Sequence, residues 1–467
     1  MDLSNRELTE LVELLRSLSR IKSVNPPGDE ILAARFLEQA LTDTGLAPTV
    51  VEPFPGRGSI VCRVHGDGSG GDPLLLLSHL DVVPAEPAGW THDPFGGELA
   101  DGYVWGRGAL DMKSMVAMEV QVMRRLARAA REAGRNPATD PVPGLRRDVI
   151  FCSAADEEAG GWHGANWLVN ERPDWIRAAA ALNEAGSISM TYGGVRFYPI
   201  QVAEKGYVVY KLHVKGRWGH GSVPTPDNAA FLAARIVTQL GDPGPARMTE
   251  AMSVAIARAI PHLTVRAAGA VKTLLSSASG PGAPEPGAIG ATLRELCDPV
   301  LARTISAVTH DTVSVGIIQS GVKYNVIPGT AYVEIDCRTL PGTDEAAMRA
   351  ELRRRVGEEL WARIEIECEQ VGPPVQAQLD GPLYPLLEQV VRDHDPDGVP
   401  LPFLAPFATD AKHLARIGVP TYGFSPLRMG SDDSFLALLH GDDERVSVEA
   451  LRWGLPVLFD AVSRFCG

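Results

Sequence analysis

The sequence predicts an α/β protein whose first domain is split by an inserted second domain of ferredoxin-like α+β order. Three observations carry that expectation. Short apolar runs of strand character, Leu74–Leu77, Asp148–Ala154 and Ala178–Leu182, alternate with segments of helical periodicity, the pattern of a sheet flanked by helices. From Gly206 the order becomes strand, helix, strand, strand, helix, strand, that of a split β-α-β sandwich. After about Pro373 the α/β character returns. The expected division is 1–203 for the first part of the split domain, 204–372 for the inserted domain and 373–467 for the second part. A chain of 467 residues exceeds what one core usually supports, which also favours two domains.

In chain order, helical periodicity runs from Asn5 to Arg20, Asn25-Pro26-Pro27-Gly28 breaks it, and a second helix is expected over Glu30–Thr44. Strands are expected near Pro48–Glu52 and Ser59–Val64. Four consecutive leucines, Leu74–Leu77, read as a strand buried on both faces that stops at Ser78-His79-Leu80-Asp81. His79 and Asp81 share one side by the period-two rule, at the strand edge where open sheets bind ligands. A carboxylate behind a histidine fixes its tautomer and raises its basicity as a metal ligand, which is the expected role of Asp81. Asp111 follows the glycine-rich approach Gly106–Leu110 and precedes a helix expected over Met112–Ala130.

An exposed connection, Ala133–Arg147, leads to the Asp148–Ala154 strand, which ends in Asp156-Glu157-Glu158-Ala159-Gly160-Gly161 before a helix over His163–Asn170. The Ala178–Leu182 strand ends in Asn183-Glu184. Three strands therefore end in acid or histidine at one edge. In the inserted domain, strands are expected at Tyr207–Lys215, Thr312–Ser320, Thr330–Arg338 and Ile364–Val371, with helices at Asp227–Leu240 and Asp344–Glu359. An alanine-rich insertion at about 242–311, with a Ser/Gly/Pro loop over Ala278–Gly290, is expected to line or cover a cleft. The last part offers a helix at Tyr384–His394, a strand at Val419–Ser425, the stretch Leu439–Arg445 and a helix at Ser447–Phe465.

Hydrophobic residues make up 45% and charged residues 22%, as in ordinary soluble proteins. The excess of 58 acidic over 44 basic residues, a formal charge of -14, argues against nucleic acid as a partner. Six scattered cysteines without a Cys-x-x-Cys pair suggest buried thiols in a reducing compartment. The amphipathic start has no apolar core for a signal peptide, and no run approaches a membrane span, so a cytoplasmic protein with no membrane partner is expected.

Together, His79, Asp111, Glu158, Glu184 and His440 offer two imidazoles and three carboxylates. Such a set suits two divalent cations sharing one carboxylate, each keeping a position open for water. Two Zn2+ are the first choice, with Co2+ or Mn2+ as substitutes. Glu157, beside a ligand, is then the candidate general base.

The motifs His79-Leu80-Asp81-Val82-Val83-Pro84, Gly106–Lys113, Asp156-Glu157-Glu158 and His440-Gly441-x-Asp443-Glu444-Arg445 resemble those of the co-catalytic dizinc metallopeptidase/amidohydrolase superfamily. That group includes aminoacylase, glutamate carboxypeptidase, acetylornithine deacetylase and succinyl-diaminopimelate desuccinylase. Tyr422–Leu427 and the long insertion look most like its carboxypeptidase S and N-acyl-amino-acid hydrolase branch. The resemblance implies a split catalytic domain with a mixed sheet, and makes the inserted domain a lid and dimerisation domain. It implies that Asp111 bridges, that Glu158 and His440 complete one metal site, and that His79 and Glu184 complete the other. Glu157 would shuttle protons and Asp81 orient His79, with a cis peptide between Asp111 and Met112. It further implies that His220 polarises the scissile carbonyl, from the partner subunit in dimeric members. Asn325 would contact substrate and Arg338 would pair with its free carboxylate. The implied activity is a metal-dependent, C–N bond hydrolase. It would cleave an amide beside a free carboxylate, in an N-acyl-amino acid or small peptide, through metal-activated water and Glu157. A dipeptidase or carboxypeptidase, or a non-catalytic relative that binds a carboxylated ligand, is the alternative. A homodimer through the lid is expected, as is a larger, more apolar acyl pocket.

Overall fold

The computed structural model describes residues 3–241, 244–263, 265, 268–269, 299–430 and 433–467. The loop expected at Ala278–Gly290 lies outside them. The chain divides into two compact units, Met1–Val202 with Ala377–Phe403 and Thr409–Gly467, and Ala203–Gln376 with Leu404–Ala408.

The first unit is built on a mixed sheet. Strands β1 (Thr49–Phe54), β2 (Arg57–Val64), β3 (Leu74–His79), β4 (Val149–Ala154) and β5 (Ala180–Asn183) lie in the order β1-β2-β4-β3-β5, followed by Thr421–Gly423 and Val195–Glu204. The four strands from β4 to Thr421–Gly423 run parallel, whereas β1, β2 and β4 pair antiparallel. Every residue of β3 and β4 is buried, because both faces are covered. Leu75 and Leu77 join Ile150 and Cys152 in a cluster with Leu168, Val169, Ile176 and Leu414. Leu74 and Leu76 alternate to the other face and are equally buried. Each such leucine contributes roughly 1.5–3 kcal/mol of apolar burial.

Helix α1 (Asn5–Arg20) starts at a capping box in which Ser4 and Glu7 exchange hydrogen bonds, and turns Leu8, Leu11, Leu15 and Leu18 inward. It packs with α3 (Ser114–Glu132) and the last helix, Val448–Cys466; α2 (Glu30–Thr42) lies against β2. The helix expected from Met112 starts at Ser114, since Asp111 (φ -118°, ψ 97°) and Met112 (φ -130°, ψ 30°) are not helical. The peptide between them is cis. Strands Val195–Glu204 and Val399–Ala405 are additional to the sequence expectation; Pro199, Pro400 and Pro402 interrupt their ladder donors.

The second unit holds an antiparallel sheet in the order Thr312–Ser320, Thr330–Thr339, Gly206–Lys215, Ile364–Gly372. Its buried face, Val208, Tyr210, Leu212, Val214, Val333, Ile335 and Cys337, packs on Leu232, Ile236, Met348 and Leu352 of the helices Ala229–Leu240 and Glu345–Val356. The helix expected over Asp344–Glu359 stops at Gly357, whose φ of +79° suits a glycine just past a helix end, and resumes as Glu358–Trp361. Among the described residues, no helix is long and apolar enough to cross a membrane.

Candidate metal centre

The parallel strands β4, β3 and β5 deliver their carboxyl ends side by side. His79 closes β3 opposite Ala154 of β4, Glu157 and Glu158 follow β4, and Glu184 follows β5. Asp111 and His440 arrive on loops. His79 Nε2 lies 3.2 Å from Asp111 Oδ1 and 3.7 Å from Glu184 Oε2; His440 Nε2 lies 3.2 Å from Asp111 Oδ2 and 3.3 Å from Glu158 Oε2. Asp111 thus turns one oxygen to each imidazole. Two donor sets, His79/Asp111/Glu158 and His79/Glu157/Glu184, each keep their ligand atoms within 4.8 Å. Glu158 Oε1 is buried without a hydrogen-bond partner, although the rest of that carboxylate is engaged. A nitrogen and oxygen donor set with such an orphaned oxygen fits a borderline divalent cation.

The electrostatics are those of crowded like charges. Burial, reinforced by Glu184, pushes the Glu157 carboxyl well above its ordinary range. Burial raises Glu184 to about 7 against the pull of His79, and raises Glu158 despite its hydrogen bond to His440. Burial would lower His79, but Glu184, Asp111 and Asp81 hold it well above the usual imidazole value. Hydrogen bonds that His440 donates to the Asp111 and Glu158 carboxylates carry it to about 10. Burial would raise Asp111 too, yet the two histidines keep it far down. The crowded carboxylates thus raise the proton affinity of both imidazoles, the same pull on positive charge that suits a divalent cation.

Asp81 does more than the sequence expectation assigns. The acceptor nearest His79 Nδ1 is the main-chain oxygen of Asp81 at 3.0 Å; its carboxylate Oδ1 is at 3.4 Å. The fully buried carboxylate accepts from the Glu157 N–H (3.1 Å, Oδ1), the Glu158 N–H (3.0 Å, Oδ2) and Asn25 Nδ2 (2.8 Å, Oδ2). It therefore clamps the turn that carries the candidate base. Asn25 also donates to Asp156 and accepts from Arg57, which pairs with Glu30 and Asp156. In the sequence Asn25 is only a helix breaker before two prolines.

A second clamp holds the Asp111 turn. Glu444 Oε1 accepts the N–H groups of Leu110 (2.8 Å) and Asp111 (3.0 Å), and its Oε2 pairs with Arg107 at 2.6 Å; Arg107 also donates to the His440 carbonyl. Gly108, at φ +82°, passes so close to Val82 that a Cβ would stand 2.4 Å from its Cγ1. The one sequence signal of this clamp is that Arg107 and Glu444 lie within the motifs that carry Asp111 and His440. Asp410, buried and raised to about 6 mainly by burial, adds negative charge near Glu157.

His220, Asn325 and Arg338 belong to the second unit. The two-residue strand Gly219–His220 pairs with Val326–Ile327, and the Gly221 N–H donates to the Asn325 carbonyl, so His220 and Asn325 are neighbours. Both Ser222 groups, N–H and Oγ–H, donate to His220 Nδ1, which leaves its proton on Nε2. Arg338 is elsewhere. It lies opposite Tyr207 across the ladder, over the Tyr207 ring and paired with Asp336. Eight residues of strand separate it from Thr330, roughly 26 Å at about 3.3 Å per residue.

The profile described as peptidase family M20/M25/M40 matches residues 75–464. Aminoacylase-1 of Sus scrofa is 27% identical to the chain, over 97% of this chain and 94% of that protein. The N-fatty-acyl-amino acid synthase/hydrolase PM20D1 of Xenopus tropicalis is 25% identical over 96% and 85%. Among solved structures, the M20 family metallo-carboxypeptidase Sso-CP2 from Sulfolobus solfataricus superimposes with a TM-score of 0.68 at 15% identity, covering 99% of each chain.

Proposed function

The chain belongs to peptidase family M20/M25/M40 and is a hydrolase of C–N amide bonds, and from that premise we propose that it is a dizinc enzyme cleaving the amide of an N-acyl-amino acid or small peptide beside a free carboxylate. The observation that carries the proposal is the pair of opposed imidazoles on the two oxygens of Asp111. Asp111 would be shared, with Glu158 and His440 on one side and His79 and Glu184 on the other. When bound, two Zn2+ would polarise the scissile carbonyl and acidify the attacking water. The names of the aminoacylase and N-fatty-acyl-amino acid relatives favour an acylated amino acid with an apolar acyl group.

The protein's own residues do the rest. Glu157, its N–H pinned by Asp81, takes the proton of the attacking water and returns it to the amide nitrogen as the C–N bond breaks. Its raised proton affinity suits both halves of that exchange. Arg338 offers the substrate carboxylate the guanidinium edge turned away from Asp336. His220, protonated on Nε2, donates to the oxygen on which negative charge develops, and Asn325 contacts the substrate.

The second unit acts as lid and dimerisation domain. Arg338 lies eight ladder positions from Thr330, whereas His220 pairs with Val326 before that strand begins, a separation that supports supply of His220 to the site by a second copy. Exposed Ile317 and Ile318 on the edge strand, Phe231 on the helix beside it, and Trp218 and Tyr324 next to the short strands at His220 and Val326 support a homodimer through the second unit. Free thiols at Cys62, Cys152, Cys337, Cys368 and Cys466 support a reducing, cytoplasmic setting.

The test is amine release from N-acetyl, N-succinyl and N-long-chain-acyl amino acids and dipeptides by chelator-stripped enzyme with and without Zn2+. Zinc-dependent release from an acylated amino acid is expected. A zinc-replete protein that cleaves no member of the panel would overturn the proposal.

A further inference from the structure

Away from the metal centre, α1, α3 and Thr44 just past α2 form an open-mouthed cavity of about 260 Å³ lined by Arg6, Glu7, Glu10, Thr44, Gln121, Arg124, Arg128 and Arg131. Four arginines around one small cavity reverse the sign of a chain whose formal charge is -14. We propose that this cavity is an anion site for phosphate, either free or as the phosphate group of a small monoester.

The arginines are fixed by single contacts that leave most of their donors unused. Arg124 donates one terminal nitrogen to the Ala40 carbonyl (3.2 Å), Arg131 one to the Thr44 carbonyl (2.7 Å), Arg128 one to Glu7 (2.6 Å), and Arg6 its Nε to Glu10 (2.8 Å). A guanidinium carries five donors, so these contacts orient the groups without saturating them. Glu7 is already committed. Burial would raise it, but Arg128, Ser4 and Arg125 outweigh that and hold it at about 2, so it acts as a fixed anchor for the arginine array.

The second observation concerns the cavity wall. Gln121, only 3% exposed, has its Nε2 buried with no hydrogen-bond partner, as does Arg124 Nε. A solvated basic face keeps its donors in water. Here two are withdrawn from it, a cost that a compact multivalent oxyanion offsets by accepting from several donors at once. Phosphate fits that requirement and the cavity volume, and arginine forks match its oxygens.

The experiment is titration calorimetry with inorganic phosphate and with phenyl phosphate at low ionic strength. It uses the metal-loaded enzyme, the chelator-treated enzyme, and a variant carrying Arg128→Gln and Arg131→Gln, two exposed positions whose replacement leaves the core intact. One equivalent bound in both metal states, weakened about tenfold or more in the variant, is expected. Phosphate alone sufficing identifies free phosphate as ligand, and binding of only the ester identifies a phosphorylated small molecule; either supports the site. Gln121→Leu, which keeps every charge, should also weaken binding. Absence of heat up to about 10 mM, binding that disappears on chelation, or unchanged affinity in the double variant would each overturn the proposal. Zinc-dependent amide hydrolysis by the double variant should equal that of the parent, so failure here is distinguishable from failure of the hydrolase assignment.

Discussion

Replacing Asp81 by asparagine separates two roles for that carboxylate. If Asp81 only orients His79, an isosteric amide that can still accept leaves the Glu157–Glu158 turn unaffected. In the structure all three close contacts to the carboxylate come from donors, one on Oδ1 and two on Oδ2. The better rotamer of the introduced amide places its NH2 at the Oδ1 position, facing the Glu157 N–H. One buried donor is then orphaned at about 1–3 kcal/mol, and the other two bonds fall from charged to neutral at about 1 kcal/mol each, roughly 3–5 kcal/mol in all. That is a substantial part of an ordinary domain's stability. Denaturant unfolding of the first unit and steady-state kinetics of the same preparation provide the assay. Asp81→Asn should lose that stability, and kcat should drop further than KM changes, because the base is no longer held. Asp81→Asn that keeps its stability within about 1 kcal/mol while losing only metal affinity would refute the clamp.

Glu157→Gln should bind the full metal complement and lower kcat by about 10²–10⁴-fold, since it removes the proton carrier while its amide oxygen remains a donor beside His79 and Glu184; metal analysis beside kinetics checks it, and survival of activity would remove Glu157 from the mechanism. Glu119, buried in α3 and bonded to Ser78 at 2.6 Å, is raised by burial to about 8 from 4.5. A raised carboxyl binds more protons folded than unfolded, so its contribution is complete below about 4.5 and is lost as pH rises to about 8, at up to about 1.4 kcal/mol per pH unit. Glu119→Gln should flatten that part of the stability profile in thermal melts from pH 5 to 8; parallel profiles would contradict the assignment. Mixing His220→Ala with Glu157→Gln subunits should restore about a quarter of parental activity if the histidine acts across a dimer, since half of the dimers then carry one complete site. No recovery from two inactive parents would place His220 in its own subunit or outside the reaction.

The candidate ligands His79, Glu158 and Glu184 were legible because each closes or follows a strand whose apolar character is plain: a buried run such as Leu74–Leu77 that stops at His79 has few other reasons to stop there, whereas Asp111 and His440 arrive on loops. The large mixed sheet was legible for the same reason. The supports were not. Asn25 reaches Asp81 across 56 positions and Asp156 across 131, and nothing in a Pro-Pro turn marks that reach. Arg107 and Glu444 meet across 337 positions, and the cavity between α1 and α3 is assembled from helix faces that read in the sequence as solvated charge. Arg338 was legible by type, whereas its partner Asp336 follows only from a bend of the side chain along its own strand.

Strand Thr421–Gly423 lies between β5 and Val195–Glu204, bonding to both. It leaves the ribosome some 240 residues after β5, which at about 5–20 residues per second is a wait of roughly 10–50 s. Throughout that interval the nascent first unit has an unpaired β5 edge and lacks His440 and Glu444. The second unit, by contrast, is contiguous apart from Leu404–Ala408 and is synthesised inside this delay. Vectorial synthesis therefore leaves the β5 edge open to mispairing until the last part of the chain arrives.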